Sequence, residues 1–325
     1  MAVGLRSQYG VAAPPFTKGP YTWDQRVNFS AGASGLLGPN QYRGGEVWYV
    51  DKTNCSVTGD GKSWESAFLT LTEAFAVAGD WDTIFVGPGF YTEAAAITVT
   101  QVGLKLIGCN SSGKTRGPCA MKTPTAAGHM LILAANANDF ECSNMGFIAT
   151  GAYNAITLGT AASGYVWRTH IHDCGFFGDG VGQFAVAVYG ATVTPAAGAF
   201  PDCAECVIER NFFYLWGIGS LGAVCAYGTR AMVRDNVFFL EAAATGIVAG
   251  NGRPYGVYTG NFFSGVNSTD VGIRQTGAVN TQIISHNTFL NCSLAITQDV
   301  GIASISSENY IAVANGTYSV FDTSA

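Results

Sequence analysis

The feature that most constrains the fold is a short motif that returns about every 25 residues in the second half of the chain. It consists of an apolar residue, two polar residues, Asn or Cys, any residue, and then an aromatic residue. The copies are Ile171–Phe176, Ile208–Phe213, Val233–Phe238, Tyr258–Phe263 and Ile284–Phe289, with an irregular earlier copy at Cys142–Phe147 and a degenerate last copy at Ser306–Ile311. The Asn or Cys positions are spaced by 37, 25, 25, 26 and 22 residues. A period of this size indicates a solenoid.

The content of each period predicts which solenoid forms. Each copy holds two or three runs of strand length with Gly-rich corners, which leaves no room for a pair of helices. Propeller blades need about 40 residues, and the leucine ladder of leucine-rich repeats is absent. We therefore predict an all-β parallel β-helix. At about 25 residues per coil, residues 46–325 correspond to roughly 11 coils.

Stacked coils bring equivalent positions of the motif into register. Strands in a sheet lie about 4.8 Å apart, so identical side chains stack into ladders. We expect an inward asparagine ladder formed by Asn211, Asn236, Asn261, Asn287 and Asn309, with Cys174 in the equivalent position. We expect a parallel internal aromatic stack formed by Phe176, Phe213, Phe238, Phe263 and Phe289.

The rest of the chain divides into an arm, an opening unit and the regular coils. Residues 46–108 are expected to form the capped first coils, and residues 140–315 the regular ones. Thr70 and Glu73 have the spacing of a capping box, which predicts a short helix over 71–78 that ends at Gly79 and covers one raw end of the sheets. Residues 1–45 are rich in Pro and Gly and are predicted to be an extended docking arm.

The arm differs in net charge from the body of the chain, residues 46–325. The formal net charge is −6. The arm carries Arg6, Lys18, Arg26 and Arg43 against one acid, Asp24, so it is basic while the rest is acidic. Nucleic acid is therefore not an expected partner of the body. No apolar run long enough to span a membrane is found, so no membrane partner is expected either.

These motifs resemble right-handed parallel β-helix proteins of the pectate-lyase-like superfamily. The asparagine–aromatic repeats carry the resemblance, together with Trp64–Phe68, Glu73–Phe75 and Asp82–Tyr91, which resemble the capped first coil of phage tail spikes and other virion surface proteins. The resemblance covers about residues 46–315 and implies a right-handed, single-stranded β-helix. It is specific for fold and much less so for function.

The sharpest candidate site is the run Arg168, His170, His172 and Asp173. Alternation places Arg168, His170 and His172 on one outward face, opposite Ile171. They could form a general base or a metal site on the outer wall, with Asp179 as a further weak candidate. Successive repeats also offer opposite charges at equivalent positions, which is what a solvated ladder of ion pairs between coils needs. The sequence favours this ladder over catalysis.

Other candidate sites are weaker. Asp179, Asp202 and Glu205 could meet in a loop cleft. Cys203 and Cys206 have metal-ligand spacing, but no second pair completes a zinc site, so we predict neither a metal nor any other cofactor. A disulfide between Cys109 and Cys119 is possible. Exposed aromatic residues could stack on sugars, the candidates being Tyr214, Trp216, Tyr255 and Tyr258.

We expect a bacteriophage virion surface protein, a homotrimeric capsid decoration protein or short spike that docks on other virion proteins through residues 1–45. This expectation rests on the basic arm, the compact β-helix and the lack of a recognisable catalytic set. Host surface glycan is a further expected partner. The alternative is a polysaccharide lyase or glycoside hydrolase, a depolymerase that resembles the enzymes of this superfamily.

Overall fold

The computed structural model describes residues 45–312 apart from a set of intervening loops. These loops are residues 110–118, 127, 152, 160–165, 179–185, 190–202, 217–221, 227–229, 242–243, 251–254, 267–269, 277–281 and 299–303. The predicted arm, with Arg6, Lys18, Arg26 and Arg43, lies outside the described residues. So do Asp179 and Asp202.

The described chain is a right-handed parallel β-helix in which each coil passes in turn through three sheets. Sheet A comes first in each coil, then sheet B, then sheet C, and each strand pairs in parallel with its equivalent in the next coil. The longest ladder, in sheet A, has ten strands, so the coil count is lower than the 11 expected. The estimate assumed that coils continue to residue 325, whereas the last described strand ends at Ala312.

The strands, numbered in chain order, are distributed as follows. Sheet A contains β1 (Val47–Val50), β2 (Thr83–Val86), β5 (Lys105–Gly108), β8 (Glu141–Ser143), β12 (His170–His172), β16 (Val207–Glu209), β19 (Met232–Arg234), β22 (Val257–Thr259), β25 (Gln282–Ser285) and β28 (Ser304–Ser307). Sheet B contains β3 (Gly89–Tyr91), β6 (Cys119–Lys122), β9 (Gly146–Ala149), β13 (Gly175–Gly178), β17 (Phe212–Trp216), β20 (Val237–Leu240), β23 (Phe262–Gly265), β26 (Thr288–Leu290) and β29 (Tyr310–Ala312). Sheet C contains β4 (Ile97–Val99), β7 (Leu131–Leu133), β10 (Ile156–Leu158), β14 (Val186–Tyr189), β18 (Gly222–Ala226), β21 (Thr245–Gly250), β24 (Val271–Thr276) and β27 (Leu294–Gln298). A small fourth sheet pairs β11 (Val166–Trp167) with β15 (Cys203–Ala204).

The helix α1 (Leu71–Val77) covers the N-terminal end of the coils. It packs against β1 and β4, the first strands of sheets A and C. The Thr70–Glu73 capping box forms as predicted, while the helix ends one residue early because Ala78 is already extended, with φ −64° and ψ 135°. The buried carboxylate of Glu93 also accepts hydrogen bonds from the first amides of the helix, at Leu71 and Thr72. The exposed end of the sheets is thereby closed.

The asparagine side chains form a continuous buried ladder between sheets A and B. Oδ1 of Asn236 accepts from the main-chain N–H of Asn211 at 2.9 Å and from its Nδ2 at 3.1 Å. Each following pair repeats this arrangement to Asn309, and each Nδ2 also donates to a main-chain carbonyl of the preceding coil. At the start of the ladder, the N–H of Cys174 donates to Asn211 Oδ1. The ladder thus satisfies polar groups that the turn would otherwise bury unpaired.

The phenylalanine rings stack inside the coil along the same direction. Centroids of consecutive rings from Phe176 to Phe289 lie 4.6–4.9 Å apart with interplanar angles of 4–7°. Phe147 extends the stack at 5.0 Å from Phe176. The rings are fully buried, so they form the centre of the hydrophobic core.

The residue before each ladder position has a left-handed backbone. Its φ is 54° at Asp173, 52° at Arg210, 55° at Asp235, 67° at Gly260, 55° at His286 and 52° at Glu308. A left-handed residue other than Gly costs roughly 1–2 kcal/mol. The tight corner between sheets A and B requires this conformation. The side chains of these left-handed residues project outward beside the outer face of sheet A.

Candidate functional site

The outer face of sheet A carries a cluster of charged and imidazole side chains in its middle coils. We call it the charged cluster and define it as Lys105, Glu141, His170, His172, Asp173, Glu209, Arg210 and Arg234. In-register parallel pairing brings them together. His170 lies opposite Glu141 on one side, and His172 lies opposite Glu209 on the other. Glu209 is in turn opposite Arg234.

Two neighbouring imidazoles, tilted by 31° relative to each other, form the centre of the charged cluster. The ring centroids of His170 and His172 are 4.1 Å apart. His172 lies between two carboxylates, with Nδ1 2.8 Å from Asp173 Oδ2 and Nε2 3.3 Å from Glu141 Oε1. His170 uses Nε2 to contact Glu209 Oε1 at 3.1 Å. Both rings are therefore held in fixed orientations by carboxylates.

Glu209 connects the histidines to two arginines. Its side chain is only 4% exposed, and its carboxylate binds Arg234 Nε at 2.5 Å and the guanidinium of Arg210. Burial opposes ionisation, but the hydrogen bonds from Arg234, Arg210 and His170 outweigh it and lower the pKa of Glu209. The carboxylate is thus charged at neutral pH. Arg210 also binds Asp173, with NH2 2.9 Å from Oδ2.

His170 differs from the other ionisable groups of the charged cluster. Burial, followed by the charge of His172, lowers the pKa of His170, and the carboxylates of Glu209 and Glu141 only partly offset this. The imidazole is therefore mostly neutral at pH 7. Among the described residues no hydrogen-bond partner contacts its Nδ1. A neutral, oriented imidazole beside half-exposed guanidinium groups can accept a proton from a bound anion.

The ion pairs form the ladder that the alternating charges of the repeats predict. Arg210 bridges Asp173 and Glu209 of adjacent coils, and Glu141 joins Lys105 to His172. The last two coils add the exposed pair His286–Glu308. Arg168 is exposed as expected but lies in a turn before β12, with φ 55°, and binds Asp139 rather than the charged cluster.

The sequence interpretation missed two carboxylates: Glu141, which belongs to the charged cluster, and Asp139, which binds Arg168. The motif copy at Cys142–Phe147 is irregular, so the outward residue before it was not aligned with the later repeats. Aligning Lys105, Glu141 and His170 as one outward column would have found Glu141, because β5, β8 and β12 pair in register. Of the proposed loop cleft, only Glu205 is described, and it binds Arg230 at 2.8 Å.

A second surface lies around the same corner, on the outer face of sheet B. We call it the aromatic patch: Phe177, Phe212, Tyr214, Phe239 and Phe262. Its neighbouring ring centroids are 5.5–6.5 Å apart. Tyr214 is the most exposed member, at 37%. The patch spans four consecutive strands, β13, β17, β20 and β23, and the first two directly follow the turns that carry Asp173 and Arg210.

The other predicted aromatic residues are placed differently. Tyr258 is 1% exposed and belongs to the core, which corrects its expected exposure. It occupies the apolar first position of the motif, whose side chain points inward. Tyr255 is 60% exposed but lies away from the patch in the turn before β22. The side chain of Trp216 lies outside the described residues.

No disulfide is formed by Cys55, Cys109, Cys142, Cys174 or Cys292. Cys109 and Cys119 do not form the disulfide considered from the sequence. Cys119 instead points inward, with Sγ 3.2 Å from the Val86 carbonyl oxygen. Cys142 and Cys174 are buried, with sulfur atoms 3.9 Å apart. In the described part of the chain, no group of three potential ligands is arranged to hold a metal ion, and none of the helices there is long and apolar enough to cross a bilayer.

Comparison with known proteins supports the fold. No protein-family model matches the sequence, and no curated protein matches it. Among solved structures, a pectin methylesterase from Aspergillus niger matches with a TM-score of 0.53 and 12% identity, covering 88% of this chain and 91% of that one. A rhamnogalacturonan lyase matches with a TM-score of 0.41 and 10% identity, covering 86% and 88%. A PL6-family alginate lyase matches with a TM-score of 0.39 and 10% identity, covering 82% of this chain and 39% of the lyase.

The match to the pectin methylesterase, at a TM-score of 0.53, supports the parallel β-helix fold. At 12% identity the likeness concerns the path of the chain and not its chemistry. No virion protein is among these three matches, and the resemblance to phage tail spikes is not shown.

Proposed function

We propose that the protein degrades a polysaccharide that contains uronic acid, with the charged cluster as its active site. The carrying observation is the close His170–His172 pair, with ring centroids 4.1 Å apart, which carboxylates orient and two half-exposed guanidinium groups flank. This arrangement supplies a neutral base next to cationic groups on an open face. It supports the lyase alternative more directly than a purely structural role on a virion.

The reaction is a β-elimination at a uronate residue. Nδ1 of His170 accepts the proton from the carbon next to the carboxylate. The released electron pair forms a carbon–carbon double bond, the bond to the leaving sugar oxygen breaks, and that oxygen takes a proton from water. The guanidinium groups of Arg210 and Arg234 lie where they can bind the substrate carboxylate and stabilise the charge that develops on it. Both arginines are somewhat over 40% exposed, so a substrate can reach them.

Two further observations support a polysaccharide as the substrate. The aromatic patch continues from the charged cluster around one corner, and aromatic faces stack on the apolar faces of sugar rings. The pectin methylesterase that shares the fold acts, by its name, on pectin. The rings of the aromatic patch run along four successive coils, a length that suits a polymer better than a small molecule.

The decisive experiment measures cleavage of polygalacturonate, alginate and capsular polysaccharides. Elimination creates an unsaturated uronate, detected by ultraviolet absorbance, together with new reducing ends. We expect His170→Ala to lose at least about a hundredfold in rate, the low end of what a general base contributes. His286→Ala is the matched control, since His286 also lies on the sheet A side and pairs with a carboxylate, far from the charged cluster. Equal rates for the two variants, or hydrolysis without unsaturated product, would overturn the proposed chemistry.

A virion role remains a second proposal, supported by the basic arm of residues 1–45. Its four basic side chains against one acid would suit docking on an acidic protein surface. Docking is tested by comparing the binding of the full chain to virions with that of a chain that lacks residues 1–45. The oligomeric state of the full chain in solution tests the predicted homotrimer. Loss of binding on deletion supports docking, whereas unchanged binding contradicts it.

A further inference from the structure

A cavity of about 680 Å³ lies near the N-terminal end of the coils, apart from the charged cluster. One wall follows the first three strands of sheet A at the corner that leads to sheet B, where Asp51, Gly87, Pro88 and Cys109 lie. The loop between Asn54 and Glu65 forms the other wall. This volume falls within the range of roughly 300–1,000 Å³ that small-molecule sites occupy.

The lining combines one aromatic ring with several hydrogen-bonding groups. The Trp64 side chain is 38% exposed and packs edge-on against Tyr49, with ring centroids 4.7 Å apart. Asn54, Ser56 and Glu65 supply amide, hydroxyl and carboxylate groups. Trp64 thus presents a fixed apolar face within a polar rim.

Asp51 gives the cavity a buried anchor. It is 4% exposed, and its carboxylate accepts from the main-chain N–H groups of Thr53 and Asn54 at 2.9 Å and from Asn54 Nδ2 at 2.7 Å. Gly87 lies so close that a Cβ there would be 2.9 Å from Asp51 Cγ. These contacts hold the carboxylate and the Asn54 side chain in one arrangement, which a ligand would meet already formed.

The charge of the lining selects among ligands. Asp51 and Glu65 are acidic, and among the described residues that line the cavity none is Lys, Arg or His. An anionic ligand would meet two carboxylates without a compensating cation. A quaternary ammonium ligand is usually enclosed by several aromatic rings, whereas Trp64 is the single aromatic residue among the described residues of the lining.

We propose that this cavity binds an uncharged sugar, as a monosaccharide or the end of a disaccharide. The sugar ring stacks on Trp64, and its hydroxyl groups bond to Asn54, Asp51 and Glu65. Because the ligand is neutral, this site differs from the uronate site proposed at the charged cluster, and it binds sugar whether or not the protein cleaves a polymer.

The test is calorimetric titration of the full chain with methyl glucoside, methyl galactoside, methyl mannoside, N-acetylglucosamine and lactose. Glucuronate and choline serve as charged comparators. We expect at least one neutral sugar to bind, and Trp64→Ala to weaken it about tenfold or more, the equivalent of about 1.4 kcal/mol. Trp167→Ala is the matched control, because Trp167 is 37% exposed and lies outside the cavity.

Two further measurements separate binding from misfolding. Trp64→Phe keeps an aromatic face and should retain most of the affinity, whereas Glu65→Gln should weaken it. The bound sugar should also slow alkylation of the exposed Cys109 thiol, which lines the cavity. Binding of glucuronate or choline alone, no binding by any neutral sugar, or an equal loss in Trp167→Ala would overturn the proposal. The cleavage assay on His170→Ala reports on the other site, so the two proposals fail independently.

Discussion

A Cβ on Gly272 would lie 2.4 Å from Cδ1 and Cε1 of Phe289, and 2.6 Å from the carbonyl oxygen of Ala295. Gly246 has the same relation to Phe263, with 2.6 Å to Cε1. Both glycines belong to sheet C, and each faces a ring from the following coil of sheet B. The aromatic stack therefore requires glycine at these positions for space.

Gly272→Ala should destabilise the protein by about 1–3 kcal/mol, because the added methyl group overpacks a filled core. The urea midpoint of unfolding measures this loss. Gly128→Ala is the control, since a Cβ at Gly128 meets no atom within 4 Å. Combining Gly272→Ala with Phe289→Leu should cost less than the two single changes together. Strict additivity would show that the ring and the glycine are not coupled.

Replacing Asn236 by Ala should cost about 3 kcal/mol, because the change leaves buried polar groups without partners. The N–H of Asn211 loses its acceptor, and the carbonyl of Ile208 loses its donor at 2.9 Å. Thr288→Ala, on the outer side of β26, is expected to change the urea midpoint little. Similar midpoints for both variants would contradict a stabilising role of the ladder.

The ladders could be predicted because the positions that form them are chemically alike from coil to coil. An asparagine followed two residues later by phenylalanine recurs at Asn211, Asn236, Asn261 and Asn287, and in-register stacking follows from the period alone. The capping box of Thr70 and Glu73 could also be predicted, because it depends on two residues only three positions apart. The glycines beside the stack also recur, at Gly246 and Gly272, but the sequence alone does not show that they lie against Phe263 and Phe289.

The candidate site could be predicted only in part, because most of its contacts do not recur from coil to coil. Alternation around Ile171 placed His170 and His172 outward, but it did not show that their ring centroids lie 4.1 Å apart. Glu141 belongs to an irregular coil and contacts His172 through a register that only the structure supplies. The cavity at Trp64 depends on the path of the loop from 54 to 65, where no repeat exists to guide the interpretation.

Glu209→Gln should lower stability by about 1–2 kcal/mol at neutral pH, a modest value because Arg210 and Arg234 are partly exposed. The folded pKa of Glu209 lies below its unfolded value of about 4.3. Its contribution is therefore complete above that pH and is lost as the pH falls through the folded pKa. The difference between wild type and variant should shrink on acidification below about pH 4.3.

Urea titrations at a series of pH values test this dependence on Glu209. Glu308→Gln is the control, because Glu308 is 69% exposed in its pair with His286 and should change the midpoint little. A difference for Glu209→Gln that grew as the pH fell would show that its pKa is raised in the folded protein and not lowered.

Tyr214→Ala should weaken binding of the polysaccharide substrate about fivefold, near the 1 kcal/mol that one aromatic contact contributes. Tyr214 is the most exposed ring of the aromatic patch, and its contacts with Phe212 and Phe239 fix its position. Retardation in gels that contain the polysaccharide measures the affinity. Tyr310→Ala is the control, because Tyr310 is 51% exposed on the same sheet beyond the patch. An equal loss in both variants would mean that exposed tyrosines bind the polymer without a defined site, whereas loss in Tyr214→Ala alone places sugar rings on the patch.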